Sequence, residues 1–211
     1  MNERKYILGL IAEGEHQQQD FKYKISDAMK LAKSVSAFAN TDGGRLLIGV
    51  RDDGHVSGVR SEEEIFMMHA AAYKYCQPSA SIKFDTYHID GRTLVIATVP
   101  PSEKKPVRAL TDDGRYRAFI RMADENIVAS PVHLAIWREQ QSQHGLLTQY
   151  DEAEQQLMTA VGFRPQQTLN QIVRRSRLPR NKAVGLLARL VRYGLVEMKL
   201  TDHQFLFTLV E

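Results

Sequence analysis

The sequence has almost nothing that would staple or anchor it. One cysteine, Cys76, occurs in 211 residues. That excludes an internal disulfide and a cysteine-rich zinc site, and Cys76 is expected to pack as a small hydrophobe. No stretch approaches the about 18 apolar residues of a membrane-spanning helix. The opening Met1–Leu10 mixes acids with bases, and its apolar run is too short for a signal peptide, so a cytoplasmic location is expected. There is no Gly-x-x-x-x-Gly-Lys-Ser/Thr loop, which argues against a phosphate-loop nucleotide hydrolase. The seven histidines show no metal-ligand spacing. Internal repeats and low-complexity tracts are also missing.

What is there is the composition of a globular protein, with 43% hydrophobic and 25% charged residues. The length allows one domain or two modest ones. The net charge of +3 is unevenly placed: residues 1–150 hold 19 Lys or Arg and 19 Asp or Glu, whereas residues 151–211 hold 9 and 6. Between Arg164 and Lys199 nine bases face a single acid, Glu197. Such asymmetry points to a polyanionic partner for the C-terminal part.

The stretch from Phe38 to Gly54 organises the N-terminal part. Ala28, Leu31, Ala32, Val35, Phe38 and Ala39 recur at helical spacing, with Ser26 as the expected N-cap. Asn40, Thr41, Asp42, Gly43 and Gly44 are turn formers. Leu46, Leu47, Ile48 and Val50 then read as a strand covered on both faces, with Gly49 allowing a close approach. Strands are expected at 17–24, 56–59, 81–88 and 92–99, the last two joined by Asp90-Gly91. Asp112-Asp113-Gly114 marks another hairpin. A helix starts at Ser61 and runs to about Cys76, and another runs from Pro131 to about Gln143. Trp137 is expected to pack the latter onto the sheet. Alternation places Arg117 and Arg121 on one strand face, a candidate basic surface near Lys104 and Lys105.

Four pieces in order, namely Glu15 with Asp20-Phe21-Lys22, Ala37-Phe-Ala-Asn-Thr-Asp-Gly-Gly44, Leu47-Ile-Gly-Val50 and Asp53-Gly54 with Gly58, resemble the Schlafen-type AlbA-like domain. The resemblance covers about residues 10–140. It implies an α+β fold, an AlbA-like mixed sheet with helices. Some domains of this type are metal-dependent ribonucleases with three clustered acids. The matching positions here are Glu15, Asp20 and Asp52, with Asp53 a competing choice. They would hold Mg²⁺ or Mn²⁺, and Lys22 would bind phosphate.

The C-terminal part reads as three helices followed by a β-hairpin, the pattern of a winged helix-turn-helix. Asp151 and Thr168 are N-caps, Arg177-Leu178-Pro179 is a turn, and Gly194 stops the helix over 180–194. On that helix Lys182, Arg189 and Arg192 fall within about 80° of one another, opposite Val184, Leu187, Leu190 and Val191. A helix apolar on one side and basic on the other can enter a major groove. Arg180 and Asn181 stand at its start, and Arg174, Arg175 and Arg177 extend the basic strip. The expected organisation is therefore an AlbA-like domain over residues 1–146 and a small winged-helix domain over 147–211. The expected function is DNA binding in transcriptional regulation, as a homodimer and without a cofactor. RNA is a further candidate partner, and a divalent-metal-dependent ribonuclease the alternative.

Overall fold

The computed structural model describes residues 3–59, 62–141 and 151–210. They form two compact units, Met1–Ala129 and Ser130–Glu211. The expected boundary at residue 146 and the expected helix start at Ser61 lie outside the described residues.

The first unit begins with helix α1 (Glu3–Glu13), strand β1 (Gln19–Lys22), helix α2 (Ala28–Asn40) and strand β2 (Gly44–Ile48). Helix α3 (Glu63–Tyr73), the short strand β3 (Cys76–Gln77) and the hairpin of β4 (Lys83–Ile89) and β5 (Arg92–Val99) follow. Strands β6 (Arg108–Leu110), β7 (Tyr116–Met122) and β8 (Glu125–Val128) complete it. Two four-stranded sheets result, in the orders β1-β2-β5-β4 and β3-β6-β7-β8. All pairs are antiparallel except β1 with β2, where Asp20 stands opposite Leu46 and Lys22 opposite Ile48.

Strand β2 is buried on both faces, as its unbroken apolar run predicts. Leu46 and Ile48 join α2 and α3 in the larger core, while Leu47 and Val50 meet Ile7 and Leu10 of α1. Gly49, with φ of +95°, receives the backbone of Gly58; an added Cβ would stand 2.9 Å from the Gly58 carbonyl carbon. The contact replaces the strand expected at 56–59 by a single bridge between Val50 and Val56. The N-cap of α2 is Asp27 rather than Ser26: its carboxylate accepts from the amides of Met29 and Lys30 at 2.9 and 3.2 Å. An ionised cap also offsets the helix dipole, which a hydroxyl cannot do. Helix α3 stops at Tyr73, and Cys76 pairs instead with Ala109 across β3 and β6. Burial pushes the Cys76 thiol up to about 12, so it stays protonated within the core.

Asn40 does more than end a helix. Its Nδ2 donates to the carbonyls of Val107 and Phe119 at 2.7 and 2.8 Å, and its Oδ1 accepts from the Val107 amide at 2.8 Å. One turn earlier, the Ser36 hydroxyl donates to Val107 O and accepts from Phe119 N. Both side chains are buried. The last turn of α2 thereby satisfies the backbone of the second sheet where ladder bonds are missing.

The second unit holds helix α4 (Pro131–Gln141), helix α5 (Glu152–Gly162), strand β9 (Gln167–Thr168), helix α6 (Leu169–Ser176), helix α7 (Arg180–Arg192) and the hairpin of β10 (Val196–Thr201) with β11 (Gln204–Leu209). The sheet order is β10-β11-β9. Asp151 caps α5, and Thr168 and Gln171 form a reciprocal capping box on α6. Its core joins Leu157, Ile172, Leu186, Leu187 and Phe207. Helix α4, expected to belong with the first domain, belongs here: Val132 and Ala135 enter this core.

Replacing Asn40 by Ala leaves the Val107 amide and the Phe119 carbonyl without their buried partner. The expected loss is about 3 kcal/mol, read as a lower urea midpoint at unchanged slope. An unchanged midpoint would contradict the role given to Asn40.

Candidate nucleic-acid interface

Two groups of residues carry the sequence-based expectations, one in each unit. In the first unit, Glu15 precedes β1 and its Oε1 accepts from the Phe21 amide at 2.8 Å. That bond folds the carboxyl back toward Asp20, and the two acids hydrogen-bond to each other. Asp20 is 4% exposed. Lys22 Nζ lies 2.8 Å from its Oδ2, and Arg121 Nη2 lies 3.6 Å from its Oδ1. Burial, reinforced by the bond to Asp20, raises the Glu15 carboxyl above its usual range. Burial pushes Asp20 the same way but is outweighed by the Glu15 bond, Lys22 and Arg121, so Asp20 titrates low. When the pair takes up a proton, it therefore goes to Glu15 before Asp20.

Arg121 is buried, not part of a basic surface with Arg117. Its guanidinium reaches the Gln19 carbonyl at 3.2 Å and Asn126 Oδ1 at 3.1 Å, and lies 5.2 Å from the centre of the Phe38 ring. Arg117 is exposed and paired with Asp113 at 2.6 Å. The alternation of β7 is interrupted because four successive residues, Ala118 to Arg121, are all covered.

The third acid does not join the pair. Asp20 stands opposite Leu46, whereas Asp52 follows the end of β2 on an exposed turn. Asp53 is held locally, accepting from the His55 amide at 2.9 Å. Among the described residues no three His, Cys, Asp or Glu side chains are placed to hold one metal ion. The donor set does not fit Mg²⁺ or Mn²⁺ as expected, since those ions require several oxygens. Here Asp20 is occupied by two cations, Glu15 is folded back onto the Phe21 amide, and Asp52 stands apart.

In the second unit the expected basic residues occupy α6, the turn and α7. Arg177 adopts a left-handed conformation, φ 58°, that ends α6, and α7 begins directly after Pro179. Ala183, Leu186, Leu187 and Leu190 face the core. Arg174, Arg175, Arg177, Arg180, Asn181, Lys182 and Arg192 are exposed. Arg180 donates to Asn170 Oδ1 at 2.7 Å, and Lys182 stands 3.7 Å from Asp151. Such exposed pairs are weak and open to exchange.

Arg189 and Arg192 differ from expectation. Arg189 Nη2 lies 3.2 Å from Oε1 of Glu154, a carboxylate whose side chain is only 8% exposed. Arg192 Nη1 lies 3.4 Å from Glu139 on α4. The helical wheel places both on the outer arc, but α5 and α4 flank that arc with acids. Arg189 compensates a buried charge and thus supports the fold. One feature the pattern reading passed over is Phe163, 65% exposed, with the Arg175 guanidinium 3.5 Å from its ring centre. Its sequence signal was available: an aromatic just past the last apolar residue of a helix, amid basic residues.

The acid pair predicts a pH signature. Because the folded pKa of Glu15 is raised, the native state holds more protons than the unfolded chain between about pH 4.3 and the folded value. Stability therefore rises as pH falls through that window, then drops at lower pH as Asp20 is protonated. Glu15→Gln keeps both hydrogen bonds and should abolish the first rise while leaving the later drop, measured as urea midpoints from pH 7 to 3. A variant curve parallel to the parent would disprove the shared proton.

Likeness to known proteins can be set beside this geometry. No curated protein matches the chain. Among solved structures, the DIP2311 protein of Corynebacterium diphtheriae is 18% identical with a TM-score of 0.48, over 96% of this chain and 37% of that one. This chain thus corresponds to about a third of that protein's length. The N-terminal domain of a putative ATP-dependent DNA helicase RecG-related protein from Nitrosomonas europaea is also 18% identical, with a TM-score of 0.40, over 72% of this chain and 99% of that one. The first unit is more specific: residues 15–130, from the proton-sharing Glu15 to the end of the second sheet, match the family described as Schlafen, AlbA_2, and the chain belongs to that family.

Proposed function

We propose that the chain binds nucleic acid and that its second unit is a winged helix-turn-helix docking on duplex DNA, in the service of transcriptional regulation. The observation that carries this reading is the exposed set Arg174, Arg177, Arg180, Asn181 and Lys182 on two successive helices and the turn between them. Among the described residues Arg174 and Arg177 make no ion pair, so their charge is available to phosphate. Helix α7 offers Asn181 and Lys182 near its N-terminal end, where such helices contact base edges and backbone. The order of helices and hairpin and the charge asymmetry of the sequence support the same reading. The first unit supplies oligomerisation or an additional nucleic-acid surface. A two-fold homodimer pairs two half-sites and multiplies affinity. A metal-dependent ribonuclease is not advanced, because Asp52 stands apart from Glu15 and Asp20.

The test uses fluorescence anisotropy with a labelled duplex across a salt series. Affinity should fall steeply with salt, by roughly 0.9 log units per log unit for each phosphate contact. Arg174→Ala, Arg177→Ala and Lys182→Ala together should flatten that slope by roughly 2 to 3. Arg189 is left in place, since its loss would strand Glu154. A salt-independent affinity, or a slope unaltered by the triple change, would refute the reading.

A further inference from the structure

The exposed Phe163 calls for a reason. It follows Gly162 at the end of α5, where Val161 turns into the core and Phe163 away from it. An added Cβ on Gly162 would come within 2.9 Å of Leu209 Cδ1, so hairpin β10–β11 closes off the inner side. Phe163 thus lies on the rim of a cleft between α5 and the end of α6. The cleft, about 560 Å³ in volume, is lined by Gln155, Gln156, Thr159, Phe163, Arg175 and Arg177, and also by Glu152. That volume is in the range of small-molecule sites.

The lining has three chemical parts. The Phe163 ring is a flat apolar surface, and the Arg175 guanidinium lies 3.5 Å from its centre. At that distance the guanidinium is stacked on one face, which leaves the other face and the edge to account for the 65% exposure. Amide and hydroxyl groups of Gln155, Gln156 and Thr159 stand on the α5 side; Gln156 is tied to Glu152 at 3.2 Å. Arg177, which lines the cleft, and Arg174, three residues before it in sequence, have no carboxylate partner among the described residues. A ring platform, neutral hydrogen-bonding groups and free guanidinium groups match a base, its edge and its phosphate.

We infer that this cleft is a stacking site for an unpaired nucleotide, so that the second unit takes single-stranded as well as duplex nucleic acid. The inference rests on the nucleic-acid reading of this unit and adds a substrate class to it. The base stacks on the open face of Phe163, Arg175 backs the ring from behind, and Arg174 with Arg177 hold the flanking phosphates. A paired base is enclosed in its stack and cannot lie on the ring. The site therefore selects ends, gaps and loops rather than continuous duplex. Its cations come from the end of α6 and the turn, whereas duplex docking also uses Asn181 and Lys182 of α7, so the two modes can be separated.

The experiment measures anisotropy of the full chain with a labelled oligothymidylate and, separately, with a blunt duplex of equal length. It compares the parent with Phe163→Ala and Phe163→Tyr. Phe163→Ala should weaken single-strand binding about tenfold, the scale of one stacked base, and leave duplex affinity within about twofold. Phe163→Tyr, which preserves the ring, should bind the single strand like the parent. Because Phe163 is exposed, both variants should keep the parent's melting temperature. Equal single-strand affinity for parent and Phe163→Ala would overturn the stacking site while leaving duplex docking intact. Single-strand binding that depends on Phe163 without any duplex binding would support the cleft and refute the duplex reading.

Discussion

The first unit is governed by one buried guanidinium. Arg121 stands on β7 of one sheet and is held by Asp20 and the Gln19 carbonyl of β1 in the other. A charge in the interior is tolerated only when it is paired and its remaining donors are satisfied. Asp20 supplies the counter-charge, Asn126 takes another donor, and Asn126 in turn donates to Ser34 of α2. The two sheets and the helix between them are thereby joined through a single side chain. The same requirement decides what Asp20 can do. With Lys22 and Arg121 on its oxygens, it is a structural anion first, and Glu15 is the acid of the pair that titrates high.

The second unit follows a related rule at lower cost. Its outward cations are not equivalent: Arg189 answers the buried Glu154, Arg192 answers Glu139, and Lys182 meets Asp151 loosely. The charge excess counted in the sequence is thus partly neutralised in place. What is left over concentrates at the end of α6 and the start of α7, where Arg174, Arg177 and Arg180 cluster. The available charge, rather than the total, defines the surface that a polyanion meets.

Local signals in the sequence were readable where the cause was local. Strand β2 followed from its unbroken apolar run, Asp90-Gly91 from turn geometry, Thr168 from capping chemistry, and the close approach at Gly49 from the missing Cβ. What escaped depended on neighbours distant in sequence. Asn40 looked like a turn former because its preference for caps and turns is intrinsic, yet its amide is engaged by backbone groups 67 and 79 residues away. Alternation assigned Arg121 a face but could not say that β1 covers it. The helical wheel of α7 put Arg189 and Arg192 on the outer arc and could not show the acids of α5 and α4 beside them. The family resemblance put Glu15 and Asp20 in one group with Asp52, and the separation of Asp52 from them depended on the parallel register of β1 and β2. Helix α4, which reads as the last element of the first domain, required knowledge of the core it enters.

The polar clamp at the end of α2 has a consequence for uniqueness. Four of the buried apolar residues of this helix are alanines, Ala28, Ala32, Ala37 and Ala39, beside Leu31, Val35 and Phe38. Side chains this small and alike distinguish poorly between one seating and another a helical turn away, about 5.4 Å along the axis. Burial of the alanines alone would reward both. Hydrogen bonds from Ser36 and Asn40 reach the Val107 and Phe119 backbones in only one of them. Two polar residues thus remove a degeneracy that the alanines create, and the helix has an address as well as an affinity.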